Sequence, residues 1–149
     1  MLESVLRDLK QHPMVRHEAA EAMGAISSLS SLPVLREFLN KEGECLPVTE
    51  TCEIAIAKIE YDHSSENEKS KRSAYDSIDP APPSSMHDTN QQQHKSTDVS
   101  VKKLRDNLLD RKKSLFERYR AMFALRNDGG EEAVLALADG FADDSALFR

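Results

Sequence analysis

Apolar residues recur along this chain at intervals of three and four, interrupted by proline, glycine and serine. Leu2, Val5, Leu6 and Leu9 stand at i, i+3, i+4 and i+7, which predicts a helix within residues 1–10. Val15, Ala19, Ala22, Met23 and Ile26 predict a second helix from Pro13 to about Ser27. Proline suits its first position, where the backbone N–H has no intrahelical partner. Ser28–Pro33 reads as a turn, and Leu32, Leu35, Phe38 and Leu39 mark a short helix ending near Asn40. Beyond the loop around Gly43, Val48, Cys52, Ala55, Ile56 and Ile59 form the inward face of a helix from about Pro47 to Tyr61.

The pattern lapses from Asp62 to about Thr97 and resumes with Val101, Leu104 and Leu108, in a helix that ends near Arg111. The next helix runs from about Leu115 to Asn127 and stops at Asp128-Gly129-Gly130, a good C-terminal signal. Another runs from Glu131 to about Phe141, with Val134, Leu137, Ala138 and Phe141 expected inward. Asp143-Asp144-Ser145 reads as the cap of one more helix.

These helices repeat. Moved by 33 residues, Val15 falls on Val48, Ala19 on Cys52, Ala22 on Ala55 and Ile26 on Ile59. Moved by 102, Arg16 falls on Arg118, His17 on Tyr119, Ala19 on Ala121, Ala22 on Ala124 and Met23 on Leu125. A period near 33 with two helices per unit is the signature of an α-solenoid, in which each unit buries its apolar face only against its neighbours. The expected fold is therefore all-α, with helix pairs in two blocks, residues 1–61 and 98–149. Residues 62–97 hold Pro80-Ala81-Pro82-Pro83, Gln91-Gln92-Gln93 and many serines, a composition expected of a flexible, disordered linker.

Composition narrows the class. The 149 residues suffice for one domain or two small ones, and aromatics at 5% with no Trp suit thin layers better than one thick core. A net charge of −6 argues against general nucleic-acid binding, which needs an excess of Lys and Arg. No apolar run approaches the roughly 20 residues of a membrane helix. Met1–Arg7 lacks the basic and apolar regions of a signal peptide. Cys45 and Cys52 make no C-x-x-C pair and read as reduced thiols, which implies a cytoplasmic protein. Cys52 falls on an apolar stripe and reads as core, whereas Cys45 is compatible with either environment.

The candidate chemistry is His17-Glu18, the sole His-Glu dipeptide of the sequence. Imidazole nitrogen with carboxylate oxygen suits iron or zinc, although most such pairs on helices are solvated surface. A local zinc site is a second reading, with His17 joined by His12 or by Glu21 at i+4. Two ligands without a third do not make a structural zinc site, and Glu21 is expected to face solvent or pair with a neighbour. A metal-free helical-repeat interaction module is the third reading. His63, His87 and His94 lack chelate spacing and read as solvated. Arg16 and Arg118 recur at equivalent places, which points to repeat stacking. Gly24 lies within a helix at some cost, which points to close helix packing.

Several stretches resemble the deoxyhypusine hydroxylases, a family of HEAT-repeat iron enzymes. Pro13–Ile26 is similar to one of that family's His-Glu helices, and Glu50-Thr51-Cys52-Glu53 to the repeat closing its first half. Ser77–Pro83 resembles its interdomain linker, and Leu115–Asn127 with Gly129–Ala133 resembles the opening of its second half. The resemblance implies HEAT-like helix pairs and a centre of two Fe(II) ions held between two halves by four His-Glu motifs. It implies dioxygen as co-substrate and hydroxylation of a deoxyhypusine side chain on a translation factor, completing hypusine. His17 and Glu18 match the second motif and are the implied metal ligands. The first motif would precede Met1 by one repeat, and the third would begin after Arg149. On this resemblance the chain is expected to be a truncated fragment, inactive alone. Exposed terminal repeats would leave apolar faces open to self-association.

Overall fold

The computed structural model describes residues 1–65, 77–84 and 98–148, the side chains of 98 and 99 excepted. All regular structure among them is helical. In chain order the helices are α1 (Leu2–Arg7), α2 (Pro13–Ile26), α3 (Leu32–Leu39), α4 (Leu46–Asp62), α5 (Asp98–Leu109), α6 (Leu115–Asp128) and α7 (Glu131–Asp139). Short 3-10 turns cover Leu29–Ser31 and Gly140–Ala142. None of the described helices is long and apolar enough to cross a membrane. His87, His94 and the glutamine run lie outside the described residues.

The chain divides into two compact units. The first comprises residues 1–65, 78–80 and 144–148 of the described chain, and the second comprises 81–84 and 98–143. In the first, α4 packs against both α2 and α3, and α1 packs against α2. Leu6, Leu35, Val48, Cys52 and Ile59 are fully enclosed among them. Within this unit, Ser145 Oγ and the Leu147 N–H donate to Glu50 at 3.0 and 3.3 Å. In the second unit, α5 and α6 pair and α7 covers both. Ala81 is fully buried there, and the Ser84 N–H donates to the Arg120 carbonyl at 3.0 Å.

Both units use the same pin. The Arg16 Nε–H donates to the Leu6 carbonyl at 2.9 Å, and the guanidinium meets both carboxylate oxygens of Glu44 at 2.8 and 2.5 Å. In the second unit, Arg118 donates to the Leu108 carbonyl at 2.8 Å and to Asp143 at 2.6 Å. The equivalent arginines thus have the stacking role that their recurrence implies. Arg16 also lies over the Phe38 ring, 5.4 Å from its centroid. Glu44 gains the Cys45 N–H at 3.0 Å and Lys41 at 3.3 Å. The Arg16 guanidinium is the main reason that its carboxyl is held down at about 2.

The register of α2 differs from the expected stripe. Val15 is 45% and Ile26 67% exposed, while Arg16, His17, Ala19, Ala20, Met23 and Gly24 are buried. Two causes act together. The pin draws Arg16 inward, and α4 approaches along small residues. A Cβ on Gly24 would lie 2.9 Å from the Ala55 Cβ, so a glycine is required there. The face of α4 is buried as expected, and burial pushes the Cys52 thiol up to about 12. Cys45 is half-buried. In α7 the inward residues are Ala133 and Ala136, whereas Val134 and Phe141 are exposed, as is Leu9 after α1. Here too small residues make the contact, and the larger apolar ones face outward.

The helix ends follow local chemistry. Ser114 and Glu117 form a reciprocal capping box at the start of α6, and Gly129 closes it with a positive φ of 67°. Ser27 closes α2 with a φ of 57°, in the left-handed region that disfavours non-glycine residues. Its buried Oγ has no hydrogen-bond partner among the described residues.

Two stability measurements follow. Replacing Glu44→Gln breaks a pair whose side chains are each 5% exposed, at an expected cost of about 3 kcal/mol near neutral pH. The carboxyl is lowered in the fold from 4.5 to about 2, so its contribution is present above pH 4.5 and is lost as the pH falls toward 2. The gap between wild type and variant in denaturant melts should therefore close across that acid window. Ser27→Gly relieves both the φ and the orphaned hydroxyl, and should stabilise by about 1 kcal/mol, read as a raised Tm.

Candidate metal centre

His17 lies in the second turn of α2, next to the pin. With Arg16 held by Leu6 and Glu44, the neighbouring imidazole is directed toward the start of α4, and His17 is only 8% exposed. Its Nδ1 lies 2.5 Å from Thr51 Oγ1. Thr51, one turn into α4, is itself buried, and its hydroxyl donates to the Pro47 carbonyl at 2.7 Å. The other ring nitrogen, Nε2, faces two carboxylates. Glu18 Oε1 and Glu21 Oε2 each lie 3.8 Å from it.

These distances exceed a hydrogen bond. They fall within the span of two ligands on one ion, whose bonds to nitrogen and oxygen are each about 2.0–2.2 Å. One ligand atom from each of His17, Glu18 and Glu21 lies within 4.8 Å of the others. The cluster is graded in exposure. The imidazole is enclosed, the Glu21 side chain is 42% exposed, and that of Glu18 is 72% exposed. A buried imidazole nitrogen with two carboxylates open to solvent is a donor set of the kind that binds a divalent transition metal and leaves positions for other ligands.

His17 and Glu18 are thus brought together as their adjacency suggests, and Glu21 joins them. Its i+4 spacing from His17 places it on the same face, and its Oε2 lies 3.8 Å from the imidazole Nε2. His12 does not join. It caps α2, and its Nδ1 accepts the Met14 N–H at 3.2 Å. His63 is occupied by the Ser27 carbonyl at 2.9 Å from its Nε2. Thr51 is the residue of this cluster that does not stand among the sequence candidates. The signal was present in the repeat, because a shift of 33 places Thr51 at the position of Glu18.

Helix pairs with a shared arginine pin, and an imidazole–carboxylate cluster on the face of one repeat, define a HEAT-like repeat protein carrying metal-ligating residue types. Comparison with known proteins agrees. A model of the PBS lyase HEAT-like repeat matches residues 15–41. The chain is 52% identical over 151 residues to deoxyhypusine hydroxylase of Schizosaccharomyces pombe, covering 99% of this chain and 45% of that protein. It is 46% identical over 149 residues to the Homo sapiens deoxyhypusine hydroxylase, covering 100% of this chain and 44% of the human one. The solved structure of human deoxyhypusine hydroxylase in complex with glycerol superposes with a TM-score of 0.81 at 44% identity, over 99% of this chain and 46% of that one. By sequence and fold this chain is similar along its whole length to the deoxyhypusine hydroxylases. It spans a little under half the length of the curated relatives that it matches.

Proposed function

We propose that this chain serves deoxyhypusine hydroxylation, the oxidation of a deoxyhypusine side chain on a translation factor that completes hypusine. The observation that carries this is likeness at 52% identity along the whole chain to a deoxyhypusine hydroxylase, with a buried His17 set against two carboxylates. The proposed metal is Fe(II), two ions in the complete enzyme, with dioxygen as co-substrate and the cytoplasm as its location. The donor set fits such an ion. Imidazole and carboxylate are the ligand types used by oxygen-activating non-haem iron. When bound, iron there would supply the activation of dioxygen.

Each residue has a defined part. His17 offers the Nε2 lone pair. Glu18 and Glu21 offer negative charge that offsets the cation's, and their exposure leaves the side toward solvent open to an oxidant and a substrate side chain. One His-Glu pair leaves too many positions to water for a defined two-metal site. The complete centre therefore draws on further His-Glu pairs beyond those in these 149 residues. A metal-free interaction module has less support, because the relatives matched along the whole chain are deoxyhypusine hydroxylases.

The test is a chimera in which this chain replaces the matching segment of the fission yeast enzyme. It should bind two irons and add the mass of one oxygen atom to the deoxyhypusine-bearing factor. His17→Ala in the chimera should abolish iron loading. A chimera equally active and equally loaded with or without His17 would remove the imidazole from the centre.

A further inference from the structure

We infer that Thr51 is a positioning residue that selects the tautomer of His17, protonated on Nδ1, and so keeps the Nε2 lone pair directed at Glu18 and Glu21. The inference deepens the metal reading above and rests on it for its functional meaning. Its structural content stands on hydrogen-bond bookkeeping alone.

A threonine hydroxyl has one proton to give and lone pairs to receive. Thr51 Oγ1 lies 2.7 Å from the Pro47 carbonyl oxygen, which can only accept. Two oxygens that close repel unless a proton lies between them, so the hydroxyl proton is committed to Pro47. The same Oγ1 lies 2.5 Å from His17 Nδ1, and with its proton already placed it can only accept there. His17 must therefore donate from Nδ1, and in the neutral ring Nε2 carries the lone pair. That nitrogen is the one facing Glu18 and Glu21, each 3.8 Å away.

The site would work poorly with the other tautomer. A proton on Nε2 removes the donor pair from the cluster and turns the bare Nδ1 toward a threonine whose proton is already spent. Both groups are buried, so water does not readily repair the mismatch. Metal-binding histidines are commonly fixed by a partner on the remote ring nitrogen, and losing such a partner typically weakens metal binding by about 10–100-fold. Here the partner belongs to the next repeat. The close approach of α2 to α4 at Gly24 and Ala55 brings it within reach.

The experiment uses the full 149-residue chain with 15N-labelled histidine, free of metal, at about pH 8, above the ordinary imidazole range near 6.5. Long-range 1H–15N correlations distinguish a protonated from a bare ring nitrogen, and the His17→Gln spectrum assigns the signal. In the wild type, Nδ1 should carry the proton. Thr51→Val should lose that pattern and weaken Zn(II) binding by about 10–100-fold, whereas Thr51→Ser should retain both. A wild-type His17 protonated on Nε2 overturns the inference, whether or not the valine variant folds. So does a folded Thr51→Val protein with unchanged tautomer and affinity. If the wild type and the serine variant show the Nδ1 proton but Zn(II) leaves the His17 signals unmoved, the tautomer assignment is supported and the metal reading fails.

Discussion

A single guanidinium holds three segments of the first unit together. Arg16 reaches back to the last turn of α1 through the Leu6 carbonyl and forward to Glu44, just before α4. A buried charge without a partner would cost several kcal/mol. The three segments are therefore locked by necessity: displacing any one strands a charge or a carbonyl. The same device recurs at Arg118 with Leu108 and Asp143, so it belongs to the repeat and not to the imidazole–carboxylate cluster. The cluster nevertheless depends on it. His17 is the next residue, and its inward direction follows from the turn of helix that Arg16 fixes.

The second constraint is steric. Helices carrying large side chains pack with axes about 8–10 Å apart, whereas glycine and alanine permit the low end of that range. Gly24 against Ala55 makes the seam between α2 and α4 tight, with Ala20 beside it on the buried face. Close approach in one turn transmits along the helix pair. It brings Thr51 of one repeat against the imidazole of the previous one. Packing and site geometry are therefore one arrangement, and the glycine's helix-propensity penalty of about 1 kcal/mol is offset by the contact it permits.

The helices were legible in the sequence because their apolar periodicity is strong and their ends are marked by Pro13, Pro47 and Gly129. The repeat was legible because Val15/Val48 and Arg16/Arg118 recur in register, even though Val15 itself faces outward. The phase of individual faces was harder to read. Hydrophobic patterning weights large side chains, and in α2 and α7 the contacts run through Ala, Gly and Arg. Val15, Ile26, Val134 and Phe141 fit the helical spacing of an inward face, yet they point outward. The candidate ligands His17 and Glu18 were legible as a dipeptide. Glu21 required knowing which rotation of α2 is buried. Thr51 required knowing which helix lies opposite, a long-range fact that local spacing does not carry.

The repeat register has a further meaning for how such a protein can be built or altered. Thr51 occupies the place in its repeat that Glu18 occupies in the one before. The same address in the array thus holds a carboxylate in one repeat and, in the next, the hydroxyl that meets the imidazole. Repeats in this chain are alike in shape and unlike in duty. They are not interchangeable modules, and the smallest heritable part of the centre is a pair of adjacent repeats. Shuffling, duplicating or deleting one repeat would preserve a well-packed stack while separating the imidazole from its brace. Changes in repeat number at this point of the array would then spare the architecture and lose the contact between Thr51 and His17.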